Sequence, residues 1–245
     1  MIRIVLAALW VVLFLILSLP LAFVEFIIGL FSPSARAKSS QVIISFAFKV
    51  VILAAGTKVI VKGKENIPAD TPVLYAPNHR SIFDVVITYT LAPGQTGYVA
   101  KKEIRKVPLL NMWMIFMNCQ FLDRSNLREG LKVILKCADL VKNGVSICIF
   151  PEGTRNKTDL DIQEFHDGCF KIAEKSSCPV VPVAINNTEQ IFEAHLPWLK
   201  KTTVVIEYCK PIFTADMSRE EKKTIGKLVS DEIVEAYVAN KALIQ

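Results

Sequence analysis

Val73-Leu74-Tyr75-Ala76-Pro77-Asn78-His79-Arg80-Ser81-Ile82-Phe83-Asp84 decides how the rest of the chain is read. Val73 to Ala76 is a short apolar run of strand character. Pro77-Asn78-His79 breaks it, and Ile82 to Ile87 is an apolar run of helical character. A strand that hands over to a helix through a polar turn is the building unit of α/β folds. Such folds place chemistry at the carboxyl ends of their strands. His79 stands at that place and is one of only three histidines in the chain.

Within one helix His79 and Asp84 do not meet, because five residues turn through about 500° and leave the side chains ~140° apart. They meet if His79 lies in the turn and Ser81 is the N-cap, which puts Asp84 at the third helical position. An imidazole with a carboxylate on one nitrogen is a general base of fixed tautomer. The same residues also read as a plain capping box, Ser81-Ile82-Phe83-Asp84, with no chemistry attached. There is no G-x-S-x-G nucleophile elbow, and no second His or Cys stands at metal spacing near His79. A base in this turn therefore activates a hydroxyl of the substrate.

Further strands are expected at Thr57 to Lys62, Gly97 to Lys101, Gln120 to Leu122, Val145 to Phe150 and Pro179 to Ile185, with an alternating edge strand at Thr202 to Tyr208. Helices are expected from about Ser81 to Leu91, after Pro108 to Met117, over Leu127 to Lys142 and over Gly168 to Lys175. A terminal helix starts at Ser218, with an apolar stripe of Ile225, Leu228, Val229, Ile233, Val234 and Tyr237. The alternation predicts an α/β fold with a mixed, largely parallel sheet flanked by helices.

Ahead of this body, Ile4 to Val24 is almost unbroken apolar sequence, and a second apolar stretch, Val42 to Ala55, carries only Lys49. The first run reaches the ~20 residues a membrane span needs, and it is too long for a usual signal-peptide core. We expect a retained N-terminal apolar two-helix membrane segment over residues 1–57, as one span or as a hairpin in one leaflet, and an α/β domain over 58–245. Residues 1–60 hold Arg3, Arg36, Lys38, Lys49 and Lys58 against Glu25 alone, which is +4 of the net +6. Basic charge beside apolar sequence suits an anionic membrane surface, and if the first helix spans the cell membrane, the positive-inside rule puts Arg36, Lys38 and the body on the cytoplasmic face. No aromatic-plus-basic platform for nucleic acid is present. Six cysteines at irregular spacing read as buried free thiols.

Three other stretches carry candidate chemistry. Phe150-Pro151-Glu152-Gly153-Thr154-Arg155 leaves an apolar run, with Gly153 suited to a turn whose N–H groups face a ligand and Arg155 to phosphate. That stretch also reads as an ordinary strand-exit turn with a solvated Arg, and Asp123-Arg124-Ser125-Asn126 has the same two readings. Lys101 and Lys102 read by default as surface charges.

Together these residues resemble the glycerolipid acyltransferase family, most closely the 1-acyl-glycerol-3-phosphate (lysophosphatidate) acyltransferases. The resemblance spans roughly residues 58 to 210. It rests on four blocks in order: Asn78-His79 with Asp84, Phe121-Leu122-Asp123-Arg124, Phe150 to Arg155, and Val181-Pro182-Val183. It implies that His79 is the general base and Asp84 its orienting acid, with direct attack on an acyl thioester and no acyl-enzyme. It implies that Arg124, Glu152, Gly153, Thr154, Arg155 and Lys101 bind the acceptor. The co-substrate would be acyl-coenzyme A or an acylated carrier protein, with no cofactor or metal. The partners would be lysophosphatidic acid and an anionic phospholipid surface, with acyl carrier protein as a candidate donor. One departure is His166-Asp167-Gly168, where many relatives have a basic pair before the glycine.

Three alternatives stand beside this reading. One is a sibling acyltransferase acting on glycerol-3-phosphate or another lysolipid. A second is a catalytically silent membrane lipid-binding protein, and a third is a hydrolase that admits water instead of the acceptor.

Overall fold

The computed structural model describes residues 1–158 and 161–244. Two long helices come first, α1 (Ile2–Phe31) and α2 (Pro33–Ala55). Ser32 separates them. Its hydroxyl accepts from Ala35 N at 3.2 Å, and Pro33 stands at the first helical position, where a missing N–H costs nothing. The result is a hairpin. Trp10 Nε1 donates across it to Ala47 O at 3.0 Å, and the buried Glu25 carboxylate accepts from Ser39 Oγ at 2.7 Å. Both helices are long and apolar enough to cross a membrane.

The body is built on seven strands: β1 (Lys58–Lys62), β2 (Leu74–Pro77), β3 (Thr96–Lys101), β4 (Gln120–Leu122), β5 (Ser146–Cys148), β6 (Val180–Asn186) and β7 (Thr203–Tyr208). Their order is β1-β7-β6-β2-β5-β3-β4, and every pairing is parallel except β6 with β7. The expected mixed, largely parallel sheet is what forms. β2 and β6 are buried along their whole length, which their continuous apolar sequences require. The carboxyl ends of β2 to β6 share one edge of the sheet. Because β1 and β7 run the other way, the start of β1 lies at that same edge.

One face of the sheet is covered by α5 (Leu127–Lys142), α6 (Lys171–Ser176) and α8 (Ile225–Asn240). The other is covered by α3 (Ile82–Leu91), α4 (Leu110–Phe116) and the N-terminal hairpin. The helix α2 lies along this face from end to end. The Arg36 guanidinium stacks over Phe116 at 4.9 Å. Gln41 exchanges hydrogen bonds with Gly94 O (2.8 Å) and Thr96 N (3.1 Å), and Phe48 meets Tyr89 edge-on at 5.8 Å. Outside it, α1 touches α4 through Trp113 Nε1, which donates to Ser18 Oγ at 3.1 Å. Most of the remaining surface of α1 is exposed Leu, Ile, Val and Phe.

Several expectations are corrected. β7 is not an edge strand. It lies between β1 and β6, and the polar positions that made it alternate, Thr203 and Glu207, are half-buried beside β1. The edges are β1 and β4. The run Val145 to Phe150 is strand only over Ser146–Cys148; Ile149 N still bonds to Tyr75 O at 3.0 Å, and Phe150 then turns onto His79. The helix expected after Pro108 does form, as the short α4, and a 3-10 turn (Lys102–Lys106) precedes it. Ser218 caps only a one-turn helix, α7 (Arg219–Lys222), and α8 starts afresh at Ile225. On α8, Ile225, Val229, Ile233 and Tyr237 are buried, whereas Leu228 and Val234 face outward.

Gly97 lets β3 pass close to the turn before β4. A Cβ there would lie 2.6 Å from the backbone oxygen of Asn118. Gly97→Ala is expected to force the two strands apart and to destabilise by about 1–3 kcal/mol, in the range of core overpacking. The measurement is the melting temperature in detergent, and an unchanged value would contradict this account of the β3–β4 contact.

Candidate active site

The turn from β2 to α3 is shaped by two buried carboxylates. Asp84 is fully buried at the third position of α3 and closes a capping box with Ser81. Its Oδ2 accepts from Ser81 N (2.8 Å), Arg80 N (2.8 Å) and His79 Nδ1 (2.7 Å). Its Oδ1 accepts from Thr188 Oγ1 at 2.5 Å. The capping and pairing readings of Asp84 are therefore both true of one carboxylate. Glu152, which is 4% exposed, braces the other side of the turn. Its Oε1 accepts from His79 N at 2.5 Å and its Oε2 from Gln163 N at 3.0 Å. Burial holds the Glu152 carboxyl above its usual range, and the His79 and Gln163 amides partly offset this.

The imidazole is clamped on three sides. It stacks on Phe150 at 4.0 Å between ring centres, its backbone is tied to Glu152, and its Nδ1 faces Asp84. The side chain remains 16% exposed. With Nδ1–H donating to a carboxylate, Nε2 carries the lone pair, and among the described residues no hydroxyl or thiol bonds to it. Upstream, the buried Asn78 side chain replaces a strand partner. Its Nδ2 donates to Ile185 O at 3.0 Å and its Oδ1 accepts from Ile185 N at 2.7 Å, locking the exit of β2 onto β6.

The other expected residues fall at the same edge in two groups. Glu152, Gly153, Thr154 and Arg155 follow β5, the neighbour of β2. Gly153 has φ +70, and a Cβ there would press on His166 at 3.0 Å. Its N–H does not face outward as expected, for it donates to Phe150 O at 3.0 Å within the turn. Thr154 is exposed. Arg155 is also at the surface, but its Nη1 pairs with Glu193 Oε1 at 3.0 Å. Glu152 points inward, so it holds the turn rather than presenting itself at the mouth. Lys101 and Arg124 end β3 and β4, two and three strands from β2. At ~4.8 Å per strand they stand about 10 and 14 Å along the edge. Both are exposed, and neither side chain makes a hydrogen bond or close ion pair among the described residues, although partial burial lowers the Arg124 pKa and the Glu103 carboxylate acts against this. Lys102 instead pairs with Asp123 at 2.7 Å, which holds that carboxyl down at about 2.

Two residues escaped the sequence reading. Thr188 lies 104 positions from Asp84. Glu193 accepts from Ser81 Oγ (2.6 Å), Ile82 N (2.8 Å) and Arg155. No local pattern marks either, because the β6 exit loop meets the α3 cap only in the folded sheet. The thiols are free, and all but the half-buried Cys169 are buried. Burial pushes Cys119, Cys137, Cys169 and Cys209 up to about 12, which leaves them poor nucleophiles. Among the described residues no three His, Cys, Asp or Glu side chains gather as a metal-ligand set.

A histidine–carboxylate pair thus stands at the carboxyl edge of a mixed sheet, with cations at other strand ends of the same edge, an arrangement suited to acid–base chemistry. The family model described as Acyltransferase matches residues 58–186, more than half of the chain. A 1-acyl-sn-glycerol-3-phosphate acyltransferase of Borreliella burgdorferi is 31% identical over 196 residues, covering 80% of this chain and 78% of that one. One of Saccharomyces cerevisiae is 30% identical over 190 residues, covering 77% of this chain and 62% of its own length. The crystal structure of the 1-acyl-sn-glycerophosphate acyltransferase PlsC from Thermotoga maritima matches with a TM-score of 0.83 at 24% identity. That match covers 98% of this chain and 95% of the other, and it shows that the fold is shared. The chain belongs to the acyltransferase family.

Thr188→Val keeps the shape but leaves Asp84 Oδ1 buried without its donor, which is expected to cost about 1–3 kcal/mol. Thr188→Ser restores the hydroxyl and most of the stability. Thermal unfolding of the two variants separates hydrogen bonding from packing, and equal losses would reject the bond as the cause.

Proposed function

We propose that this protein transfers an acyl chain from an acyl thioester to the sn-2 hydroxyl of lysophosphatidic acid, giving phosphatidic acid. The observation that carries the reading is the buried Asp84 on His79 Nδ1 at 2.7 Å, which leaves Nε2 as an acceptor at the sheet edge. The names and similarity of the relatives from Borreliella and yeast favour this acceptor.

In this mechanism the acceptor hydroxyl donates to Nε2. As its oxygen attacks the thioester carbonyl, the proton passes to the imidazole, and Asp84 stabilises the imidazolium. Collapse of the tetrahedral intermediate expels the thiolate, which takes the proton from His79. The lack of any hydroxyl or thiol on His79 among the described residues favours direct transfer over an acyl-enzyme. Unpaired cations suit a phosphate dianion, so Lys101 and Arg124 supply most of its attraction. Arg155 adds less, since Glu193 already neutralises it. Coenzyme A and acyl carrier protein both fit the donor role.

Residues 1–57 act as the anchor and 58–245 as the catalytic domain, on the cytoplasmic face of the cell membrane. Because α2 is docked along the body from Arg36 to Phe48, the hairpin cannot stand across a bilayer without dragging the body in. This favours a hairpin that lies in one leaflet with the exposed apolar side of α1 toward lipid.

The test uses purified protein in mixed micelles with acyl-coenzyme A and lysophosphatidate, then acyl carrier protein donors. His79→Ala is expected to lower kcat by about 10²–10⁴-fold, the usual contribution of a general base. Arg124→Ala is expected to raise KM for lysophosphatidate more than Arg155→Ala does. Phosphatidate formation that survives His79→Ala would overturn the assignment of the base. Absence of product with every donor and lysolipid would return the reading to a non-catalytic lipid binder.

A further inference from the structure

Beyond the hairpin, a second surface has the composition of a membrane contact. The segment between β6 and β7 turns at residues 193–201 (EAHLPWLKK) and is fixed at both ends. Glu193 grips the α3 cap. Leu199 is buried in the core, and Lys200 N bonds to Ile191 O at 2.9 Å. Yet its tip leaves Leu196 63% and Trp198 42% exposed, although both are large and apolar. Lys200 and Lys201 follow, both exposed. Ile82, 53% exposed, opens α3 beside Glu193 and only three positions from His79.

This surface is continuous with the N-terminal helices. A Cβ placed on Gly56, just after α2, would lie 3.2 Å from Arg3 Nε and 3.6 Å from Lys201 Cγ. Arg3, at the start of α1, and the stem of Lys201 therefore approach over one residue, and among the described residues neither forms a salt bridge. An exposed tryptophan beside lysines, adjoining a long apolar face, is the composition of a bilayer interface, with the ring at headgroup depth and the cations on anionic lipid.

We propose that residues 196–201 form a second membrane contact that seats the catalytic edge in the headgroup layer of an anionic bilayer. The occupant is the lipid surface itself. The inference rests on the leaflet-embedded hairpin proposed above. It adds an orientation: the mouth at His79 is held against the membrane, so a lysolipid reaches it by lateral movement rather than through water. The rigid turn makes this a preformed contact.

Tryptophan fluorescence tests this without reference to activity. Full-length protein is bound to vesicles of phosphatidylcholine and phosphatidylglycerol, with bromine carried on shallow or deep acyl positions of the phosphatidylcholine. Subtracting the spectrum of Trp198→Phe isolates Trp198, and subtracting that of Trp10→Phe isolates a reporter on α1. Trp198 is expected to be quenched by shallow bromine and protected from aqueous iodide. Lys200→Glu/Lys201→Glu is expected to relieve that quenching and to lower the rate on these vesicles by about tenfold or more, as loss of two interfacial lysines implies. The rate in neutral detergent micelles should not change. If Trp10 is quenched and Trp198 is not, the second contact is wrong and the hairpin reading stands. If neither is quenched, both fail.

Discussion

The site depends on a carboxylate that has been taken out of water. A buried charge is tolerated only where donors replace its hydration. Asp84 has four: two backbone amides of its own turn, the His79 imidazole and the Thr188 hydroxyl. They come from the β2 exit, the α3 cap and the β6 exit. The turn must take one shape for all of them to converge, and that shape fixes the imidazole. The same bonds that make burial of the charge possible thus also set the geometry of the imidazole.

Glu152 repeats the device from the opposite side. It draws His79 N and Gln163 N toward one buried carboxylate and joins the β5 turn to the β2 turn. Asn78 does the equivalent on β6 with a neutral amide. Three polar side chains therefore span β5, β2 and β6 just beyond the end of the ladder, beside the backbone bond from Asn156 N to His79 O. Phe150 fills the remaining side of the ring. Exposed, adaptable cations sit farther along the edge on β3 and β4. Buried, hydrogen-bonded groups hold the histidine, whereas the cations farther along are exposed.

Much of the body was legible because its signals are local. The strand-turn-helix pattern at Val73 to Asp84 and the continuous apolar runs gave the sheet class and the His79–Asp84 pair. What stayed hidden depends on contacts between distant residues. The alternation of Thr202 to Tyr208 suggests an edge, but β1, at the other end of the body sequence, pairs outside it. Thr188 and Glu193 carry no motif, since their partners at the α3 cap lie more than a hundred positions away. Glu152 and Gly153 lie in the expected turn, but their bonds point inward, which a motif does not specify. Ser218 has a genuine capping box, and its helix still stops after one turn.

The sheet closes with a pairing between β1 and β7, whose residues stand 145 positions apart at Lys62 and Glu207. Loops that long close late, because the entropy of bringing their ends together precedes any reward. The apolar hairpin, by contrast, precedes the body in the sequence and so leaves the ribosome before it, and its contacts with itself are local. Its helices therefore form before the strands that flank them have been synthesised. The body then folds against a hairpin already formed, so the first helices act as a template for the face they will cover.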